Sequence, residues 1–285
     1  MRRSIVFTLT TSAVFALTVT LASGSSSSGA RAAEGCGLHS LKGGYGYAFQ
    51  GQVNGPNFTE AVDIGGTGRA VFNGRGGLSG MEWASTNGVI ETLTYTGSYT
   101  VKPDCTGTMT IVNSNGRTDH GNIALVEGGQ EINFIDTDPG VALTIHISRQ
   151  AISNCTNRSL HGRFNFADQG SFFAPPGGAE AGDSAVFVVI QFDGRGHESG
   201  TTTTNFSGGV AEPFTGTYHV NADCTGSAID TPTSGPSNHV NFVLVEHGNE
   251  WKVIVVDPGN VLAGTGDRMA SGDNSDDNNN NSGQN

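Results

Sequence analysis

The stretch Tyr95–Thr108, YTGSYTVKPDCTGT, returns as Phe214–Ser227, FTGTYHVNADCTGS, with eight of fourteen positions identical. Each copy carries large residues in alternation (Tyr95, Tyr99 and Val101; Phe214, Tyr218 and Val220). It then meets Lys-Pro-Asp or Asn-Ala-Asp, Cys-Thr-Gly and a second run from Met109 or Ala228. Period-two alternation broken by turn residues reads as a β-hairpin, here with a cysteine at its bend.

Beyond the hairpin, the same offset of 119 carries Cys36 onto Cys155 and Cys105 onto Cys224. It carries Ser40-Leu41 onto Ser159-Leu160, Tyr45 and Tyr47 onto Phe164 and Phe166, and Asp138-Pro139-Gly140 onto Asp257-Pro258-Gly259. One residue more maps Phe72-Asn73-Gly74-Arg75-Gly76 onto Phe192-Asp193-Gly194-Arg195-Gly196. Two copies are too few for a solenoid, and each is long enough to bury a core of its own. The sequence thus predicts two tandem β domains, 34–150 and 151–270.

With 43 glycines and abundant Thr, Ser and Asn, the chain has no stretch that keeps apolar residues at helical spacing beyond two turns. In the first copy eight strands are expected, near 44–53, 59–73, 78–85, 91–102, 107–113, 119–127, 131–137 and 142–149. The connections NGRGG, KPDCTG, EGGQ and TDPG are short, which makes successive strands antiparallel neighbours. An eight-stranded meander closes into a barrel whose interior is filled by side chains or holds one small ligand. The expected fold is all-β, two tandem antiparallel eight-stranded meander barrels, with β-sandwiches as the alternative.

At the N-terminus, Arg2-Arg3, the apolar run Ile5–Ala22 and the small-residue site Ala30-Arg31-Ala32 read as an export signal over 1–33. The threonines in the run and the Ser-rich spacer after it favour a cleaved signal over a membrane anchor, and no other segment is apolar for the length of a bilayer. The mature chain would then carry 11 basic against 26 acidic side chains. That balance and the lack of any basic cluster exclude nucleic acid and anionic lipid as partners. The tail from Ser271, SGDNSDDNNNNSGQN, has no apolar residue and is expected to be disordered. The chain is expected to be secreted or periplasmic.

Four cysteines in an exported chain imply disulfides, for which three pairings exist. The repeated spacing favours Cys36–Cys105 and Cys155–Cys224, and closing such a loop is worth about 4 kcal/mol in the loop-closure treatment. Metal ligation by these cysteines is not expected, since C-x-x-C is absent.

The motifs GRGGLSG and GRGHESG lie between strands, where no helix N-terminus could complete a phosphate site, and read as hairpin turns. No G-x-S-x-G, H-E-x-x-H or EF-hand pattern occurs, and neither cofactor nor metal is expected. Asp136-Thr137-Asp138 could contribute to a calcium site, yet the second copy has Val255-Val256-Asp257 there, so a turn-capping aspartate is the better reading. Glu60 with Asp63, and Glu180 with Asp183, recur three apart and so fall on opposite strand faces, against a cooperating dyad.

Of eight histidines, only His120 and His239 recur, each followed two residues on by Asn122 or Asn241. Period two puts His and Asn on one strand face, expected to continue inward through Ala124, Val126, Val243 and Val245. They read either as a hydrogen-bonded strand end near the barrel rim or as a polar contact in a ligand pocket. Tyr45, Tyr47, Phe164 and Phe166 are expected in the core and are the aromatic candidates for lining a pocket.

The combination F-[ND]-G-R-G-x-x-S-G followed by T-G-x-Y-x-V-x-x-D-C-T-G resembles a family of uncharacterised exported bacterial proteins built from this repeat, over about residues 36–268. The resemblance brings no activity with it. At the level of fold alone, the meander is similar to the calycin-like lipocalin barrels and to allene-oxide-cyclase and dirigent barrels, which implies a small apolar ligand and no residue roles. Three functions stay open: a non-catalytic binding protein for a small apolar ligand or a cell-surface partner, a barrel-type isomerase or cyclase, and a structural envelope or matrix protein with filled barrels. What separates them is whether the lumens are hollow and which polar groups they hold.

Overall fold

The structure, a computed structural model, describes residues 35–54, 61–173, 182–205 and 208–270. The export signal expected at 1–33, the tail at 271–285, Glu60 and Glu180 lie outside the described residues.

A 3-10 turn at Leu38–Ser40 leads into β1 (Lys42–Val53), β2 (Val62–Asn73), β3 (Gly77–Thr86), β4 (Val89–Val101), β5 (Thr106–Asn113), β6 (Thr118–Val126), β7 (Glu131–Asp136) and β8 (Val141–Arg149). Each strand pairs antiparallel with the next, and β8 returns to β1 to close the barrel. After a second 3-10 turn, Asn157–Ser159, the chain repeats the course. It runs through β9 (His161–Phe172), β10 (Gly182–Asp193), β11 (His197–Thr204), β12 (Ala211–Val220), β13 (Thr225–Pro232), β14 (Asn238–Val245) and β15 (Glu250–Val255). The last strand is split into β16 (Asn260–Val261) and β17 (Ala263–Arg268), both paired with β9. With β9 also on β10, the second barrel closes as the first does. Two tandem eight-stranded barrels follow from the alternation and the short turns, and the sandwich alternative falls.

The repeated stretch has a definable task. Its tyrosine, Tyr99 or Tyr218, points into the barrel, where the hydroxyl reaches the carbonyls of the preceding 3-10 turn. Tyr99 Oη lies 3.0 Å from the oxygens of Leu38 and Leu41, and Tyr218 Oη lies 3.1 and 2.7 Å from those of Asn157 and Leu160. The disulfides Cys36–Cys105 and Cys155–Cys224 fasten the segment just before that turn to the bend of the hairpin. Asp104 and Asp223 accept from the backbone and hydroxyl of Thr106 and Thr225, fixing the bend. Inward Gly107 and Gly226 are glycine because a Cβ there would collide with the backbone oxygen of Thr100 or the ring of Phe242. Beneath the turn an edge-to-face aromatic cluster fills the barrel: Tyr45, Phe72 and Tyr99 in one copy, Phe164, Phe192 and Tyr218 in the other. Each barrel is therefore plugged at its disulfide end.

The two glycine-rich motifs form hairpin turns. Gly74 and Gly76, like Gly194 and Gly196, hold positive φ, and Asn73 or Asp193 accepts two backbone N–H groups across the turn. Those N–H bonds, with His197 beside it, lower Asp193 to about 2.

The barrels pack closely on one another. Val243 and Val245 of β14, Ile254 of β15 and Ala263 of β17 point away from their own lumen yet are buried. The opposing face of the first barrel presents Gly46, Gly65, Gln50 and Ser85, with Trp83 reaching Asn241. A Cβ on Gly46 would lie 2.6 Å from Val245 and 2.8 Å from Val243, so glycine is what lets the walls meet. Around this contact Gln150 Nε2 donates to the Asp223 carbonyl at 3.0 Å and Ser171 Oγ to Asp63 at 2.6 Å. Ser148 Oγ donates to Glu250, which is itself ion-paired with buried Lys252.

Candidate functional site

Above the aromatic plug each lumen opens into a cavity. The first, about 100 Å³, is walled by Tyr47, Phe49, Ile64, Met109, Phe134 and Ile145, among others. The second, about 210 Å³, is walled by Phe166, Val188, Val240, Trp251, Val253 and Leu262. Both are apolar spaces with few polar groups, the usual composition of a small-molecule pocket. Each holds a buried acidic group within the barrel, at a different depth, and Arg117, Asp119 and Asp136 also line the first.

In the first barrel that group is Glu82 of β3, only 8% exposed. Its Oε2 accepts from the Tyr47 hydroxyl at 2.9 Å, and the Tyr95 hydroxyl lies 3.0 Å from that of Tyr47. Burial raises Glu82 to about 7 against the pull of the Tyr47 bond, and it raises both tyrosines above their ordinary value. In the second copy Thr202, Phe166 and Phe214 stand at these three positions, so the polar cluster has no counterpart there.

In the second barrel the polar group is a pair of carboxyls. Glu198 of β11, Gly216 of β12 and Asp230 of β13 lie in register across three adjacent strands. Gly216 has no side chain to separate its neighbours, and a Cβ there would sit 2.6 Å from Glu198 Oε1. The two carboxyls meet over it. Asp230 lines the cavity, and Glu198, 5% exposed, lies behind it. Among the described residues neither Glu198 oxygen, nor Asp230 Oδ1, has a hydrogen-bond donor from another group. Two carboxyls in such contact can bond only by sharing a proton. Burial first, and the Asp230 charge second, push Glu198 well above the usual carboxylate range, and burial raises Asp230 too. Two carboxyls in contact in an apolar wall resist ionising together, which favours a shared proton. The first barrel has Leu78, Gly97 and Ile111 in this same register, an apolar layer. Trp251 Nε1, also in the cavity wall, is buried without an acceptor among the described residues.

The residues singled out in the sequence divide between two places. Tyr45 and Phe164 belong to the plug, while Tyr47 and Phe166 line the cavities. The His/Asn face is outward, which corrects the expectation that it runs into the lumen: Gly121, Ile123 and Leu125, or Val240, Phe242 and Leu244, are the inward phase. His120 and His239 are exposed and bound to Asp138 and Asp257 at 2.9 and 2.7 Å, which is the strand-end arrangement at the rim. Asn122 is exposed, and Asn241, with its amide turned to satisfy both of its neighbours, accepts from Trp83 Nε1 of the first barrel at 3.1 Å.

Asp119, Asp136 and Asp138 bring carboxylate oxygens within 4.8 Å of one another at the mouth of the first barrel. Each is already engaged: Asp119 with Arg117 and Asn113, Asp136 with the Asp138 N–H, and Asp138 with His120. This arrangement is that of a turn cap, and Asp257 repeats the last of these bonds on His239.

No family model matches the chain, and no curated protein matches it. Among the described residues no helix is long and apolar enough to cross a membrane.

Proposed function

We propose that this is a binding protein of an oxidising, extracytoplasmic compartment that holds a small, largely apolar molecule in a barrel lumen, chiefly the second. The observation that carries this reading is the cavity of about 210 Å³ above the plug of the second barrel, with an apolar wall and a few polar groups. An engineered apolar cavity of about 150 Å³ already takes up benzene, so this space suits a molecule of one substituted ring. Two disulfides at equivalent positions support the choice of compartment. A filled structural barrel would have no use for such a space, which costs dispersion contacts along its whole lining.

Toluene titrated into the full chain, followed by NMR shifts of lumenal methyl groups, tests the reading. Saturable shifts confined to residues such as Val188, Val240 and Leu262 are expected, and Val188→Trp should abolish them by filling the space while leaving the far-UV spectrum intact. A parent that shows no saturable shift, or a Val188→Trp protein that binds as well as the parent, would overturn it.

A further inference from the structure

The second lumen carries something that an apolar pocket does not need. At the layer where the first barrel has Leu78 and Ile111 facing across Gly97, the second has Glu198 and Asp230 facing across Gly216. The groups that bear on the pair are the carboxyls themselves, with Tyr218 of β12 beside Glu198. Among the described residues no Lys or Arg acts on either one. A negative charge held in a low-dielectric lumen without a cation is unfavourable, and so is a buried carboxyl oxygen without a donor. Two apolar side chains fill this layer in the sister barrel, so the fold itself does not call for the acids. What they lack is a cationic donor, and Asp230 faces the cavity from which one would come.

The surroundings determine what kind of cation. A metal ion asks for six or more oxygen ligands, or for imidazole and thiolate; here the cavity beside Asp230 is lined by Phe166, Phe214, Val188 and Val240 with neutral Thr202, Thr204 and Asn238, and among the described residues no third carboxylate, His or Cys joins the pair. An organic ammonium asks for little else: one or two carboxylate oxygens, and aromatic or aliphatic walls for its hydrocarbon, with ring faces that favour a cation.

We propose that the second barrel binds a small organic amine, its protonated nitrogen donating to the Glu198–Asp230 pair and its apolar body filling the cavity above. This rests on the lumen-binding reading given above and names the ligand class. Acceptor atoms on the same ligand would meet the free Trp251 Nε1–H.

The test compares benzylamine, benzyl alcohol and toluene on the full chain at pH 7.5 and 0.3 M NaCl, the salt screening non-specific attraction to the acidic surface. Benzylamine is expected to bind about tenfold or more tighter than the two neutral probes, the usual gain for a hydrogen bond to a buried charge. In the double variant Glu198→Leu with Asp230→Ile, which installs the first barrel's own pair at that layer, the ratio should fall to about one. Far-UV spectra and a cooperative melt show that the variant is folded, and Glu198→Gln with Asp230→Asn gives a second, near-isosteric reading of the same ratio. Toluene bound as tightly as benzylamine by the parent would overturn the amine proposal and leave lumen binding standing. An amine preference that survives in both variants would overturn it too, by placing the amine elsewhere. If none of the three probes binds, the lumen reading and the amine proposal fall together.

Discussion

His120 Nδ1 lies 2.9 Å from Asp138 Oδ1, and the His120 backbone N–H donates to the other oxygen of the same carboxylate at 2.8 Å. His239 and Asp257 repeat both bonds, each at 2.7 Å. One carboxylate thereby clamps the turn after β7, or after β15, to the start of β6 or β14. Removing the imidazole should leave the backbone half of the clamp. His120→Ala and His239→Ala are expected to cost about 0.5–1 kcal/mol each in urea denaturation, as partly exposed bonds do. Probe binding in the lumens should not change. Asp138→Ala, which removes both bonds, should cost more than His120→Ala, and equal costs would argue against the two-point clamp.

Gly46 faces Val243 and Val245 across the line where the barrels meet. At this point of the contact the valines belong to the second barrel and the glycine to the first. Gly46→Leu should therefore separate the barrels without entering either lumen, at about 1–3 kcal/mol for the overpacking. Denaturation of the parent followed at Trp83 and Trp251, one in each barrel, should give coincident transitions. In Gly46→Leu they should part, with the Trp251 midpoint falling further because Val243, Val245 and Ile254 would meet water. Coincident transitions in the variant would show that the contact does not couple the barrels.

The architecture was legible because both periods in the chain are simple. Alternation gave the strands of the first barrel to within three residues of where they lie, and the 119-residue offset gave the tandem and the disulfide pairing. The site was less legible. His120 and His239 attract attention because the two copies agree there, but what they share is a turn clamp, a need of the fold and so of both barrels. The lumenal acids are found where the copies differ: Glu82 against Thr202, Glu198 against Leu78, Asp230 against Ile111. An acid in the inward phase of one copy, opposite an apolar residue in the other, is a signal present in the sequence. Reading it needs the phase of each strand, and phase is what short Gly- and Thr-rich strands leave ambiguous. That ambiguity also turned the His/Asn face inward.

Glu82 makes the stability of the first barrel depend on pH in an unusual direction. Its carboxyl titrates at about 7 in the folded protein, raised by burial from an ordinary 4.5. Between these values the folded state keeps a proton that the unfolded chain has released. The contribution of Glu82 is therefore full below about pH 4.5, falls as pH rises to about 7, and is level beyond, by on the order of 3 kcal/mol at most. Glu198 and Asp230, also raised, act with the same sign in the second barrel and extend the decline to higher pH. Glu82→Gln separates the two contributions. The amide is neutral at every pH, and its oxygen can still accept from Tyr47. Urea midpoints of parent and variant should coincide near pH 4.5 and diverge up to pH 7, with the variant the more stable at pH 8. The difference should then stay constant to pH 9, because the second barrel titrates alike in both proteins. A variant whose stability falls in parallel with the parent across pH 5 to 7 would show that Glu82 does not hold its proton in the lumen.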